Sequence, residues 1–187
     1  MGGTAKPRWR SPAVVGGLSV AAAAAAALVT LARPRDPTFE LVSITLASFK
    51  LNFPVIDTEL ILTVHVTNPN LVPIHYSSTT MSIFYDGSPL GSAAVEAGSQ
   101  PPRSCQLLHL PARLDGLELA HHGVRFLADV AKREMVLDAK VDIEGTATVL
   151  WWAHGFKVHV ESHVVVDPVF LDVMDQENKS DLQLFVT

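Results

Sequence analysis

The sequence predicts a mainly β protein, an antiparallel β-sandwich with one helix, preceded by one N-terminal transmembrane helix. Two observations lead to this prediction. Apolar and polar residues alternate with period two over long stretches after position 57, as in strands with one buried and one wet face. An uncharged run of 20 residues, 13–32, is long enough to cross a hydrocarbon core of roughly 30 Å as a helix.

The N-terminal part is interpreted as a short basic cytosolic tail (1–12), a transmembrane signal-anchor (13–32) and a linker (33–37). Nine of the 20 residues in the apolar run are alanine, which gains little from entering lipid. Three interpretations of the run therefore stay open: a retained anchor, a signal peptide cleaved near Ala32, and a soluble alanine-rich helix. A retained anchor with its basic tail in the cytosol leaves the following domain outside the cytosol.

Charge is distributed unevenly along the chain. Five Lys or Arg and no Asp or Glu precede position 36, whereas nine Lys or Arg stand against 19 Asp or Glu from Asp36 onward, a net charge of −10 for that part. An acidic domain of this kind is repelled by phosphate backbones, which argues against nucleic-acid binding. The single cysteine, Cys105, excludes an intramolecular disulfide, and its place on a strand predicts a small buried side chain.

The alternation is clearest in three segments, 57–67, 137–149 and 156–166. Asp86-Gly87 predicts a tight hairpin turn, because both residues tolerate positive φ, and a second turn is expected at His154-Gly155. Further strands are expected at 38–50, 74–85, 89–97, 103–112 and, as a short last strand, 168–173.

One segment, 116–132, has helical spacing of its apolar residues instead. Asp115 is a suitable N-cap, and Lys132 suits the C-terminal end of the helix dipole. About seven strands and this helix predict a β-sandwich over 38–175, followed by a polar C-terminal tail at 176–187.

The motif Asn68-Pro69-Asn70 stands at the end of a predicted strand, where Pro69 cannot donate a hydrogen bond and the two asparagines can hold a turn. It is followed in order by Val72-Pro73-Ile74, by the turn at Asp86-Gly87 and by Pro101-Pro102. Over residues 36–175 this order resembles the water-stress and hypersensitive-response (WHy) domain. That domain occurs in group-2 late-embryogenesis-abundant proteins and in harpin-induced, non-race-specific-disease-resistance-like membrane proteins of plants.

The resemblance implies an Ig- or fibronectin-like antiparallel sandwich, anchored as a single-pass protein in the plasma membrane. It also implies a role in abiotic-stress or pathogen-defence responses, without catalytic residues and without a cofactor. The partner implied is the lipid bilayer. Protein partners, with self-association as one option, are not identified by the sequence.

Candidate metal sites fail on geometry. His159, Glu161 and His163 share one face of a predicted strand, but the two histidines are four residues apart, about 13 Å, which is too far for a shared metal ion. We therefore interpret them as a solvated polar face. His121 and His122 point about 100° apart on the helix and cannot chelate together, and one is expected to be half-buried and the other exposed.

Two features are candidates for function. Asn178-Lys179-Ser180 is a candidate N-glycosylation site. Trp151 and Trp152 lie beside a predicted turn, where they either fold over the end of the sandwich or contact a membrane or partner. The tryptophan pair and the apolar strand faces suggest a second hypothesis, a module that binds lipid or a small hydrophobic ligand at the membrane. A third is a secreted sandwich released after Ala32.

Overall fold

The computed structural model describes residues 35–52, 55–149 and 152–186. The predicted basic tail and anchor, 1–32, and Trp151 lie outside these ranges, and the side chain of Trp152 is likewise not described. Within the described ranges no helix combines the length and the apolar character needed to cross a membrane.

The predicted mainly β class is confirmed, with two short helices. The strands are β1 (Thr38–Asn52), β2 (Val55–Asn68), β3 (Ile74–Tyr76), β4 (Thr79–Tyr85), β5 (Ser88–Val95), β6 (Gly98–Gln100), β7 (Ser104–Asp115), β8 (Met135–Val149), β9 (Trp152–Asp167) and β10 (Asp172–Val186). The helices are α1 (Gly116–His121) and α2 (Gly123–Lys132).

The strands form one curled antiparallel sheet, a half-barrel. Its order is β1–β2–β7–β5–β4–β8–β9–β10, and β3 continues the edge of β8 beyond β4 and pairs with β6. All described pairings are antiparallel, as the alternation predicted. Because the strands are hydrogen-bonded into one sheet, the division into two sheets expected for an Ig-like sandwich is not confirmed.

The sheet is joined across its middle by a short contact between β5 and β7. Only Gly91–Ala93 and Ala112–Leu114 pair there. A Cβ at Gly91 would lie 2.1 Å from the carbonyl oxygen of Arg113, so this close approach of two main chains requires glycine. The small residues at this junction allow the sheet to curl around an apolar interior.

One predicted turn is confirmed and the other is wrong. Asp86 and Gly87 connect β4 to β5 with positive φ angles of 51° and 77°. In contrast, His154 and Gly155 lie inside β9, where they pair with Ala147 and Thr146. The main-chain pairing of β8 with β9 continues past Gly155 to Val149 and Trp152, so the glycine that suggested a turn lies within the ladder.

The C-terminal segment differs most from the prediction. The expected short last strand at 168–173 and the polar tail at 176–187 are wrong, because β10 runs for 15 residues and pairs with β9 from Asp172 to Val186. Residues 168–171 instead form the turn between these strands, with Leu171 at φ 60°. Main-chain hydrogen bonds to β9 hold a strand whose side chains are largely polar.

The single helix predicted over 116–132 is two helices that meet at His122. The predicted cap is confirmed, since the Asp115 carboxylate accepts a hydrogen bond of 2.9 Å from the Leu117 N–H. The expected division of the histidine pair is also confirmed: His121 is exposed and His122 is half-buried.

Helix α2 is attached to the sheet through a buried tyrosine. The Tyr85 hydroxyl donates a hydrogen bond of 2.6 Å to Asp129 of α2. Burial first, and the hydrogen bond to Asp129 second, raise the pKa of Tyr85 well above its usual value, so it remains a donor at physiological pH. This contact fixes the helices at the end of the sheet where β4 ends and β8 begins.

Candidate functional site

The concave side of the sheet encloses an apolar cavity of about 120 Å³. Alternating residues of the long strands supply its wall, as period two requires of a curled sheet with one buried face. None of the lining residues is Asp, Glu, Lys, Arg or His. The apolar lining includes Phe39, Leu41, Ile44, Leu60, Leu62, Val64, Val66, Ile74, Met81, Ile83, Leu108, Leu110, Leu137, Ala139, Val141, Ile143, Phe156, Val158, Val160 and Val164.

Three polar residues of β9 and β10 lie on this inner face and form what we call the seam cluster: Ser162, Gln176 and Asn178. The Ser162 hydroxyl donates to Asn178 Oδ1 at 2.6 Å, and Gln176 Nε2 donates to Ser162 Oγ at 3.0 Å and to Asn178 Oδ1 at 2.8 Å. All three residues line the cavity. Tyr76 and Gln100 also line the cavity, and the rest of the lining is apolar. The seam cluster is therefore a localised set of neutral hydrogen-bonding groups in a largely apolar wall.

The seam cluster lies where the two outer edges of the curled sheet meet. Strands β1 and β10 are not hydrogen-bonded to each other as a ladder in the described part of the chain. Instead, the Leu41 N–H donates to Gln176 Oε1 at 2.8 Å, and Asn178 Nδ2 donates to the Phe39 carbonyl oxygen. Side-chain amides thus take the place of main-chain pairing and close the half-barrel.

The motif Asn68-Pro69-Asn70 forms a fastened turn at the end of β2. Asn68 is fully buried and donates through Nδ2 to the carbonyl oxygens of Val72 and Pro101, both at 3.0 Å, while its Oδ1 accepts from the Asn70 N–H at 3.0 Å. Asn70 in turn bonds through its side chain to Arg35 N at 2.7 Å and to Arg35 O at 2.8 Å. The motif therefore ties the start of the domain to its turns, which is a structural role.

The predicted polar face of β8 and β9 is confirmed as a ladder of charge pairs on the convex side. Lys140 Nζ lies 2.7 Å from Glu161, and His163 Nδ1 lies 2.7 Å from Asp138. The His159 ring lies between Asp142, at 2.7 Å, and Glu161, at 3.5 Å. In the part of the chain that the structure describes, no group of three or more His, Cys, Asp or Glu could hold a metal ion.

This ladder makes stability depend on pH. The hydrogen bond to Asp142 is the main cause that raises the pKa of His159 above its ordinary value of 6.5. A raised pKa means that the protonated histidine stabilises the fold below pH 6.5 and that this contribution disappears as the pH rises through the folded-state pKa. We expect the free energy of unfolding to fall between about pH 6 and pH 8, by less than about 1 kcal/mol because the pair is exposed.

Urea unfolding of the chain and of His159→Gln at both pH values measures this contribution. The variant lacks the titrating group, so its unfolding free energy should change less between the two pH values than that of the unmodified chain. An equal change in both proteins would show that His159 does not contribute.

The remaining predicted residues are placed differently from expectation. Cys105, predicted to be a buried side chain, is exposed on β7, so that prediction is wrong. Cys105 lies on the face of β7 that is opposite to the buried residues, so its side chain is in contact with solvent. Asn178 stands in β10 with its amide engaged at the seam, and a glycan on Nδ2 would have to occupy that seam.

Gln176 and Ser162 were not singled out by the sequence analysis. Ser162 had a detectable signal, because it occupies an inner position in β9 between Val160 and Val164, where the alternation calls for an apolar residue. The sequence contains no comparable signal for Gln176, because this residue lies in a segment whose polar composition predicted a tail.

Comparison with known proteins gives one family match. A family model described as late embryogenesis abundant protein matches residues 63–164. The match includes Asn68-Pro69-Asn70 and ends before β10, so Gln176 and Asn178 lie outside it.

Solved structures similar to the chain include the following two. A crystal structure of a protein from Archaeoglobus fulgidus is 17% identical, with a TM-score of 0.38, and the similarity covers 79% of this chain and 98% of that one. A solution structure of a protein from Arabidopsis thaliana is 16% identical, with a TM-score of 0.37, and the similarity covers 83% of this chain and 87% of that one. No curated protein matches the chain.

Proposed function

The chain belongs to the late embryogenesis abundant protein family, and from this we propose that it is a non-enzymatic plant stress protein whose β-domain binds a small hydrophobic ligand. Family membership supports the stress-related role. The ligand-binding role is supported by one observation, the apolar cavity inside the curled sheet. An apolar, uncharged cavity favours molecules that lose little by leaving water.

The size of the cavity restricts the ligand. An engineered apolar cavity of about 150 Å³ in another protein stays dry and binds benzene. The cavity here, at about 120 Å³, is of the same order. It therefore suits one small ring or a short aliphatic segment rather than a whole lipid.

The absence of catalysis is proposed from the chemistry of the lining. The hydroxyl of Ser162 donates to the amide oxygen of Asn178, and an amide does not accept a proton as a general base would. None of the lining residues is Asp, Glu, Lys, Arg, His or Cys, and burial raises the pKa of the lining phenol Tyr76 above its usual value, so it is not a base at neutral pH. The cavity thus offers burial and hydrogen bonds but no proton transfer.

Thermal unfolding with toluene tests the ligand-binding role. A ligand that binds only the folded state stabilises it by about 1.4 kcal/mol at ten times its Kd, so Tm should keep rising with the logarithm of the toluene concentration above the Kd. A steady fall in Tm with toluene, with no initial rise, would contradict binding to the folded domain.

We further propose that residues 13–32 are a retained signal-anchor that holds the chain in the plasma membrane with its domain outside the cytosol. The support is the uncharged length of the run and the basic residues before it. Such an anchor is typical of the harpin-induced, WHy-domain branch that the sequence resembles, so the proposed role includes pathogen defence as well as abiotic stress.

The anchor has a direct test in the native protein. We expect alkali-washed membranes to retain a chain that still contains residues 13–32. Protease added to sealed microsomes whose cytosolic face is outward should leave the domain intact. A mature N-terminus at Arg33, recovered in the soluble fraction, would show instead the secreted form that cleavage after Ala32 produces. Digestion of the domain from the cytosolic side would reverse the proposed topology.

A further inference from the structure

The boundary of the cavity is weakest at the meeting of β1 and β10. Every other neighbouring pair along the sheet order is joined by main-chain hydrogen bonds. Between these two edges the described hydrogen bonds are those of the Gln176 side chain to Leu41 and of the Asn178 side chain to Phe39. Each such bond contributes only about 1 kcal/mol net, so separation of these edges requires less free energy than separation of a paired ladder.

Some hydrogen-bonding positions of Gln176 and Asn178 are not used by the bonds at the seam. The main-chain partners fix the orientation of both amides, since Leu41 N–H requires an acceptor and the Phe39 carbonyl requires a donor. Gln176 Oε1 then has one lone pair left, and Asn178 Nδ2 has one N–H left. The Gln176 Nε2 hydrogens and the Asn178 Oδ1 lone pairs are already in use within the cluster. The Ser162 hydroxyl, which donates once and accepts once, keeps one lone pair as well. The two amides thus keep one acceptor, on Gln176, and one donor, on Asn178, at the edge of an apolar cavity.

We propose that the seam cluster binds the neutral polar head of an amphipathic ligand, with a hydroxyl as its best match, while the apolar part of the ligand enters the cavity between β1 and β10. This inference rests on the proposed hydrophobic-ligand function. A hydroxyl donates to Gln176 Oε1 and accepts from Asn178 Nδ2, which uses the spare position of each amide.

The same geometry disfavours a carboxylate. An anionic head has no proton to donate to Gln176 Oε1, and that oxygen would repel it. The lining residues include no Lys, Arg or His to compensate its charge. Asn178 is exposed, so the head keeps part of its hydration, but the part that it loses is not replaced by an ionic partner. The ligand class is thus an alcohol or a comparable neutral compound, and not a fatty-acid anion.

Isoleucine methyl NMR distinguishes these cases. The chain has six isoleucines: Ile44, Ile74, Ile83 and Ile143 line the cavity, Ile61 is exposed on β2, and Ile56 is the sixth. The full chain in lipid nanodiscs is titrated with toluene, benzyl alcohol and benzoate at pH 7, three probes with one ring and different heads. We expect saturable shifts of the cavity methyls, and a Kd for benzyl alcohol at least about 10-fold below that for benzoate.

The variant Gln176→Met keeps the side-chain length and removes the spare amide acceptor. It should lose the preference for benzyl alcohol over toluene and still bind toluene. Asn178→Leu, which removes the spare donor, should have the same effect, and the isoleucine spectrum reports whether either variant remains folded.

Each result separates this inference from the function on which it rests. Toluene binding with equal Kd values for benzyl alcohol and benzoate would overturn the seam cluster as a binding site and leave the cavity function standing. Retention of the full alcohol preference in folded Gln176→Met and Asn178→Leu would do the same. A failure of toluene itself to shift the cavity methyls would overturn both.

Discussion

Replacement of Asn68 by alanine should lower the free energy of unfolding by about 2–4 kcal/mol. The substitution removes three hydrogen bonds at a residue with no exposed surface. It leaves the carbonyl oxygen of Val72 and the N–H of Asn70, both in half-buried residues, without this partner, whereas the Pro101 carbonyl keeps its hydrogen bond from Ser104 Oγ. The cost of burying unpaired groups exceeds the net value of the bonds. Urea denaturation of the two proteins measures the difference.

The neighbouring asparagine provides a matched control. Asn70→Ala removes two hydrogen bonds to Arg35, but these are exposed, so water can replace them. Its cost should stay below about 1 kcal/mol. If Asn68→Ala costs no more than Asn70→Ala, the buried turn is not what holds this end of the domain together.

The second large effect is expected from filling the cavity. Ala139 lies on the inner face of β8, paired with Ser162 and Ile83, and its side chain lines the cavity. Ala139→Phe introduces a ring of about the size of the proposed ligand and should weaken toluene binding at least about 10-fold. The free energy of unfolding should fall by no more than about 3 kcal/mol, the upper end of the usual range for overpacking.

Ala94→Phe is the matched control for this variant. Ala94 is exposed on β5, so the same added ring points away from the cavity. It should leave toluene binding unchanged, and both variants are compared by the toluene-dependent shift of Tm. Equal binding by Ala139→Phe and the unmodified chain would place the ligand somewhere other than the cavity.

The inner wall of the site was predictable because period two assigns faces without knowledge of the partner strand. Leu60, Leu62, Val158 and Val160 all stand on the face that the alternation assigned to the interior. The turn at Asp86-Gly87 was predictable for a local reason as well, since few residue pairs accept positive φ.

The other half of the site depends on long-range pairing, which local patterns do not contain. β10 is held by main-chain bonds to β9, so Gln176 and Asn178 need no apolar neighbours to belong to a strand. Their roles depend on Phe39 and Leu41, which are more than 130 positions away in the sequence. The same holds for the β8–β9 hairpin, whose length is set by pairing and not by Gly155.

The break in the helix at His122 has a tertiary cause as well. His122 lies edge-on to the Tyr85 ring, with a centroid distance of 5.8 Å, and its Nε2 lies 3.1 Å from Ser88 Oγ. Contacts with the β4–β5 hairpin therefore fix this residue outside helical geometry, although its neighbours have helical spacing.

The central claim is that the curled sheet binds a hydrophobic molecule in its interior. Titration of the isoleucine-labelled full chain with toluene tests it most directly, because Ile44, Ile74, Ile83 and Ile143 report from the cavity wall and Ile61 from the exterior. We expect saturable shifts of the four cavity methyls, no shift of Ile61, and loss of the cavity-methyl shifts in Ala139→Phe. Shifts that do not saturate, or that affect Ile61 as strongly as the cavity methyls, would contradict an internal binding site.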